Sequence, residues 1–189
     1  RQDEPPLTPR SYLPLITRNH YSGPPPLVIS ALYYDTYRAN EPDEAFQIYN
    51  PLAAPVNLAG WRVSDRQRTV TFGAGLRLEA TATLWCARKA VSFTLSFGFK
   101  PACEYGGDTD PTVPDLAGTA LQFGNTGGRI TLIHPQDLYS DTLVYENSDT
   151  NVSGWQGPAV YPYRPSTNFG EAGQILYRKL DQATGLPMP

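Results

Sequence analysis

Short segments with alternating apolar and polar residues recur along the chain from residue 27 onwards. Phe46 and Ile48 follow the two-residue period of a half-buried strand, and Asn50-Pro51 supplies turn chemistry that ends it. Leu58, Trp61 and Val63 give a second apolar line. The pattern predicts strands over residues 27–33, 45–50, 58–63, 69–72, 82–87, 121–123, 129–133 and 142–146.

The segments between these strands are rich in Gly, Pro, Asp and Asn, which favours turns over crossover helices. We therefore predict an all-β, antiparallel β-sandwich rather than a βαβ sheet. Residues 125–128, Asn-Thr-Gly-Gly, predict a hairpin that joins strand 121–123 to strand 129–133. No segment predicts a long amphipathic helix, although residues 137–140 could form a single turn.

The two ends of the chain have a different composition from the strand-rich part. Residues 1–26 carry seven prolines and predict an extended arm or linker. Residues 147–180 predict a long, irregular, aromatic-rich extension with a last strand over residues 174–180. We expect residues 181–189 to begin a linker to a further C-terminal domain, and the sandwich itself to occupy residues 27–146.

Composition narrows the function classes. Of the 189 residues 17% are charged, the net charge is −3, and the chain has 19 Pro and 12 Tyr, which is typical of a β-protein. Lys and Arg are scattered, so we find no strong nucleic-acid signature, and no apolar run is long enough to span a membrane.

The cysteines and the single methionine indicate a processed extracytoplasmic protein. The chain begins at Arg1 and its one Met is Met188, which would fit removal of a signal peptide. Cys86 and Cys103 predict a disulfide in an oxidising compartment, and the alternative is two unpaired thiols.

The order of the segments resembles the lamin tail domain. The resemblance covers residues 27–146 and rests on the strand with Phe46-x-Ile48-x-Asn50, on Gly60-Trp61-x-Val63-x-Asp65, and on Leu121-x-Phe123-Gly124-Asn125-x-Gly127-Gly128-x-Ile130-x-Leu132. It implies an immunoglobulin-like sandwich without catalytic activity. It also implies a binding or tethering module of a larger bacterial secreted or cell-surface protein, of the kind that accompanies nucleases and other hydrolases.

Acidic loops are the candidate metal sites. Asp108, Asp110 and Asp115 lie in a Gly-rich loop and could hold calcium, although the loop lacks the ligand pattern of a known calcium loop and an ordinary solvated turn is the alternative. A second cluster predicts a charged turn, with a cation site as its alternative: Asp35, Glu41, Asp43 and Glu44. No cofactor other than calcium is expected.

Aromatic residues of the extension are the candidate ligand contacts. Trp155, Tyr161 and Tyr163, with Phe169, could form a platform for a glycan or a peptide, and the alternative is that they pin the loop to the sandwich. His20 and His134 have no partner at the spacing of a catalytic motif.

We therefore expect a non-enzymatic module that binds an unidentified protein, glycan or envelope ligand. The alternatives are a carbohydrate-binding sandwich that uses the aromatic residues, a hydrolase with a site assembled from the long loops, and a structural spacer without a ligand.

Overall fold

A computed structural model describes residues 27–163, 172–179, 181 and 183. In this part of the chain the strands are β1 (Val28–Tyr33), β2 (Ala45–Tyr49), β3 (Val56–Asn57), β4 (Arg62–Ser64), β5 (Thr69–Thr71), β6 (Arg77–Leu78), β7 (Thr83–Ala87), β8 (Cys103–Glu104), β9 (Ala117–Gly118), β10 (Gly127–Ile133), β11 (Ser140–Glu146) and β12 (Leu176–Tyr177), and the helix is α1 (Ala90–Phe97). The predicted arm at residues 1–26 lies outside the described residues, as does most of the predicted linker at 181–189.

The strands form two five-stranded sheets, in the orders β12-β1-β2-β7-β8 and β11-β10-β4-β5-β9, while β3 pairs only with β6. All pairs are antiparallel except β7 with β8. The predicted fold class, an all-β antiparallel sandwich of the immunoglobulin-like kind with a C-terminal extension, is confirmed.

The core lies between the two sheets because alternate residues of each strand face inwards. Phe46 and Ile48 come from the first sheet, Ile130 and Leu132 come from the second, and all four are fully buried in one cluster. Trp61 is 3% exposed in the same cluster, as expected for its apolar line. This burial supplies the main stabilisation of the sandwich.

Two predicted strand segments are wrong. Residues 58–61 form a turn in which the Trp61 N–H donates to the Leu58 carbonyl oxygen at 3.0 Å, so that β4 begins only at Arg62. Residues 121–123 are not a strand, and the hairpin at 125–128 does not form. The hairpin partner of β10 is β11, and residues 134–139 connect them.

The sequence prediction also missed helix α1. Its sequence, AVSFTLSF, contains no charged residue and is only eight residues long. It ends at Gly98, which has φ of 77° and donates its N–H to the Thr94 carbonyl oxygen, a common helix ending. Ala90 and Phe93 are the buried residues of the helix. Aromatic and β-branched residues favour strands, so the residue pattern did not predict this short helix.

The extension packs on the sandwich where it is described. Val160 exchanges backbone hydrogen bonds with β11, since its N–H donates to Val144 and its carbonyl accepts from Glu146. The last strand is shorter than predicted, because only β12 pairs with β1. Arg178 follows β12 and donates from Nη1 to both carboxylate oxygens of Asp141, at 2.6 and 2.7 Å.

Among the described residues, no helix combines the length and apolar character that crossing a membrane requires.

Candidate functional site: a polar groove with three arginines

A groove of about 630 Å³ opens at one end of the second sheet. It lies between the β4–β5 turn, the segment that precedes β10, and the residues that follow β11. Its lining consists of Asp65, Arg66, Gln67, Arg68, Gln122, Phe123, Gly124, Gly127, Gly128, Arg129, Tyr145, Asn147, Ser148 and Asp149. The volume is in the range of sites that hold small ligands or a few units of a polymer.

The β4–β5 turn is built around Asp65. Its Oδ1 accepts the backbone N–H groups of Gln67 and Arg68, at 2.9 and 2.6 Å, which is an Asx turn extended by one residue. Its Oδ2 accepts the N–H of Gln122 at 2.9 Å and thereby joins this turn to the opposite wall. Arg66 at the tip has φ of 89°, a left-handed conformation that is uncommon for a residue with a side chain.

The opposite wall is an extended segment held by the side-chain oxygens of two acidic residues instead of a neighbouring strand. The N–H of Phe123 donates to Glu44 Oε1 at 3.2 Å, and that of Gln122 donates to Asp65. Because these two N–H groups are satisfied by side chains, the segment needs no strand partner on this side. This explains why residues 121–123 resemble a strand in sequence but do not pair as one.

Gly128 forms part of the floor above a buried tyrosine. A Cβ atom at this position would lie 2.6 Å from Tyr145 Oη, and Tyr145 is only 1% exposed. Burial raises the pKa of the Tyr145 hydroxyl above its ordinary value, so it stays neutral. The glycine therefore permits the close packing of β10 on this ring and keeps the groove open.

Glu44 lies behind the wall and is fully buried. Burial raises its pKa to about 8, while the Arg88 guanidinium and the Phe123 N–H oppose the increase. Arg88 Nη1 donates to Glu44 Oε2 at 3.0 Å. The predicted solvated turn at Asp35, Glu41, Asp43 and Glu44 is thus wrong for its last two residues. Asp43 is also buried, where it accepts hydrogen bonds from Thr36 and Ser96.

The groove is locally more positive than the protein as a whole. Arg68 pairs weakly with Asp65, at 3.5 Å. Arg66 and Arg129 form no ion pair within the described residues. Asp65 is already engaged by three backbone N–H groups, and Asp149 accepts the N–H of Asn151. Two guanidinium groups are therefore left to meet a ligand.

The lining of the groove consists largely of polar and charged side chains. Its side chains offer guanidinium, amide and hydroxyl groups, but the lining includes no His, Cys or Lys. The lining also includes two carboxylates, Asp65 and Asp149, and a carboxyl group can act as a general acid or base.

The three predicted calcium ligands, Asp108, Asp110 and Asp115, lie in different environments. Asp110 forms an ion pair with Lys100, whose Nζ lies 2.7 Å from the Asp110 Oδ2. Hydrogen bonds from Lys100 and Thr112 lower the pKa of Asp110 to about 2. Asp115 joins Glu104 in an isolated bridge, and Asp108 is exposed. In the described part of the chain no group of three or more His, Cys, Asp or Glu side chains could hold a metal ion. The Asp108, Asp110 and Asp115 hypothesis therefore has no ligand set here.

The aromatic residues of the extension divide into two kinds. Trp155 is partly buried against the core, and the Arg178 guanidinium lies 5.0 Å from its ring centre. Tyr161 and Tyr163 are 47% and 76% exposed. Phe169 and His20 lie outside the described residues. His134 packs edge-on against Trp61, with the ring centres 5.1 Å apart, away from the groove.

The predicted Cys86–Cys103 disulfide is confirmed, with its Cα atoms 4.6 Å apart. It holds β7 beside β8 and closes the insertion that carries α1.

Sequence reasoning missed the arginines of the groove. Arg66 and Arg68 are two residues apart in a chain with only 15 Lys and Arg, and this spacing was an available signal. Arg129 joins them only through the pairing of β4 with β10, which the residue pattern does not specify.

No protein-family model matches the chain, and no curated protein matches it. In fold it is similar to the crystal structure of a DUF4876 family protein from Bacteroides thetaiotaomicron VPI-5482, with a TM-score of 0.54 and 13% identity. The likeness covers 86% of this chain and 65% of that one, so the chain spans about two thirds of the length of that protein. At this identity the similarity concerns the fold alone.

Proposed function

We propose that the chain is a non-catalytic binding module, lamin-tail-like in kind, which tethers a larger secreted or cell-surface protein to its ligand. The groove is the ligand site in this proposal. Its ligand belongs to the extracellular surroundings of the protein, such as a glycan or another envelope component.

The observation that carries the proposal is the groove with Arg66 and Arg129 unpaired by carboxylates among the described residues. Surface arginines commonly find an acidic partner, and two that line one concave site are available to a ligand. The surrounding framework supports a preformed site, because Asp65 and Glu44 fix both walls by hydrogen bonds to backbone N–H groups.

Two further features favour the proposed role, and the first of them favours a location outside the cytoplasm. A buried disulfide is typical of secreted and surface proteins. The lining has hydrogen-bonding groups suited to recognition but lacks the His, Cys or Lys that commonly serve as base or nucleophile.

The proposal is tested by blocking the groove. Gln122 is exposed and lines the groove, so Gln122→Trp should fill it, whereas Gln136→Trp places the same side chain on the β10–β11 turn. Gln122 precedes β10 and Gln136 follows it, and the strand between them is about 20 Å long at the usual rise per residue. Retention of the purified chain on insoluble polysaccharides and envelope fractions is the measurement, with wild type and both variants compared.

We expect the wild type and Gln136→Trp to be retained by the same ligand. Gln122→Trp should not be retained by it. Equal retention of Gln122→Trp would reject the groove as the site. Release of soluble products from a retained polysaccharide by the wild type would instead favour the hydrolase alternative.

A further inference from the structure

The pairing of β4 with β10 places two arginines in the lining of the groove. The β4–β10 ladder pairs Ile133 with Arg62, Leu132 with Val63 and Thr131 with Ser64. Arg66 lies two residues after Ser64 in the β4–β5 turn, Arg129 lies two residues before Thr131 in β10, and both line the groove at this end of the ladder. Like charges that line one groove repel each other, and a bound anion relieves the repulsion.

We propose that the groove binds an acidic polysaccharide, with Arg66 and Arg129 gripping its carboxylate or sulfate groups. The inference rests on the proposed function, since it names the ligand of the same groove. The module would then recognise acidic groups on an envelope or matrix polymer.

The guanidinium group is well suited to this task. Its planar fork of N–H donors matches an oxyanion in a bidentate manner and keeps its charge at any physiological pH. Arg66 lies at the tip of the β4–β5 turn with a φ of 89°. The hydrogen bonds of Gln67 and Arg68 to Asp65 hold this turn. A strained residue fixed by its surroundings at a cleft is often part of a binding site.

The remaining side chains favour a sugar over a peptide or a nucleic acid. Hydroxyl-rich ligands are matched by amide and hydroxyl groups, which the lining supplies from Gln67, Gln122, Asn147 and Ser148. The aromatic lining residues, Phe123 and Tyr145, are 3% and 1% exposed. The groove thus offers no open aromatic face for a base to stack on and no apolar pocket for a peptide anchor.

The experiment measures binding of the full chain to four soluble probes by titration calorimetry. Polygalacturonate carries carboxylates, dextran sulfate carries sulfates, dextran is neutral, and polyglutamate is an acidic peptide. The variants are Arg66→Gln, Arg129→Gln, the double variant and Arg129→Lys. Arg77→Gln is the matched control, because Arg77 is exposed, pairs with Glu79 and does not line the groove. Gln122→Trp blocks the groove for every ligand.

We expect one acidic polysaccharide to bind, and each Arg→Gln change to weaken it about 10-fold or more, because a hydrogen bond to a charged group is lost. The double variant should abolish detectable binding, and Arg77→Gln should bind as wild type. Arg129→Lys should recover only part of the affinity because Lys lacks the fork. Affinity should fall at high salt. The stronger of the two acidic polysaccharides identifies the anionic group.

Other outcomes overturn the inference in distinguishable ways. Equal binding of dextran that Gln122→Trp removes but the Arg variants keep would reject charge recognition and retain the groove as the site. Preference for polyglutamate would reject the sugar. Binding of an acidic polysaccharide that survives Gln122→Trp would reject both this inference and the proposed function. Thermal unfolding of each variant without ligand establishes that it folds.

Discussion

Glu104 caps helix α1 from a position 14 residues beyond its first residue, as its Oε2 accepts the Ala90 N–H at 2.8 Å. Lys89, which directly precedes the helix, provides no side-chain cap. The same carboxylate accepts the N–H groups of Thr109 and Asp110 and the Thr109 hydroxyl. One fully buried side chain thus holds both the start of α1 and the acidic loop after β8.

Removing this carboxylate should destabilise the insertion. Glu104→Ala leaves three backbone N–H groups without their acceptor, and we expect a loss of about 3 kcal/mol or more in the free energy of unfolding. Glu104→Gln keeps one oxygen and should cost less. Urea unfolding measures both, and Glu79→Gln, an exposed partner of Arg77, should change stability by less than about 0.5 kcal/mol. Equal effects of Glu104→Ala and Glu79→Gln would contradict the capping role.

The same site has an acid dependence. Burial alone would raise the pKa of Glu104, but its four hydrogen bonds outweigh this and lower the pKa below its ordinary value of 4.5. A lowered pKa means that the unfolded chain binds the proton more readily, so the contribution of Glu104 is present above pH 4.5 and is lost as the pH falls through the folded pKa. Glu104→Gln should show a shallower acid loss than wild type.

Glu44 should act in the opposite sense. Its pKa is raised by burial from 4.5 to about 8, so the folded protein holds the proton through this window and the unfolded chain does not. Its titration therefore lowers stability by about 1.4 kcal/mol per pH unit as the pH rises between those values. Gln at position 44 does not titrate. The wild type should therefore lose stability relative to Glu44→Gln as the pH rises from 4.5 to about 8. Parallel curves from pH 4.5 to pH 8 would contradict the raised pKa.

The disulfide should contribute through the loop that it closes. Cys86 and Cys103 are 17 residues apart, for which restriction of the unfolded chain amounts to about 3 kcal/mol. We expect the Cys86→Ala/Cys103→Ala variant to lose about that amount in urea unfolding. Both cysteines are fully buried, so a reducing agent should act on the native protein only slowly. Rapid reduction without any change in stability would show that the insertion is held by other contacts.

The parts of the fold that the sequence predicted are those set by local pattern. Phe46, Ile48 and Ile130 alternate with outward-facing residues, and each lies in a confirmed strand. The presence of only two cysteines was sufficient to predict the disulfide. The hairpin at residues 125–128 failed because Glu44 and Asp65, distant in sequence, accept the N–H groups that a strand partner would have used.

The candidate site was less accessible to sequence reasoning. Arg66 and Arg129 are 63 residues apart in the sequence, and both line one groove only because β4 pairs with β10. Short polar turns are ordinarily solvated, so Arg66 gave no local sign of a binding role. The acidic and aromatic candidates had stronger local signals, but Asp110 pairs with Lys100 and Trp155 packs against the core. Local chemistry identified candidate groups without showing which of them the fold brings together.

The C-terminal extension should be held to the sandwich by Arg178. It donates to both oxygens of Asp141, which also accepts the Ile29 N–H at 2.7 Å, and both charged side chains are almost completely buried. Arg178→Gln leaves Asp141 without its cation, and we expect a loss of about 3–5 kcal/mol. Hydrogen exchange should show faster exchange of the Ile29 and Arg178 amides. Lys179→Gln, the exposed neighbour, should leave both unchanged.

The floor of the groove offers a test of packing that is independent of any ligand. Gly128→Ala places a Cβ atom 2.6 Å from Tyr145 Oη, and the buried ring has little room to move, so we expect a loss of about 1–3 kcal/mol. Gly73 is the matched position, because a Cβ atom there meets nothing within 4 Å. Gly73→Ala should be neutral or stabilise by up to about 1 kcal/mol, since it restricts the unfolded chain. If both substitutions changed the urea midpoint alike, the tight packing of β10 on Tyr145 would be refuted, and with it the reason that glycine occupies this part of the floor.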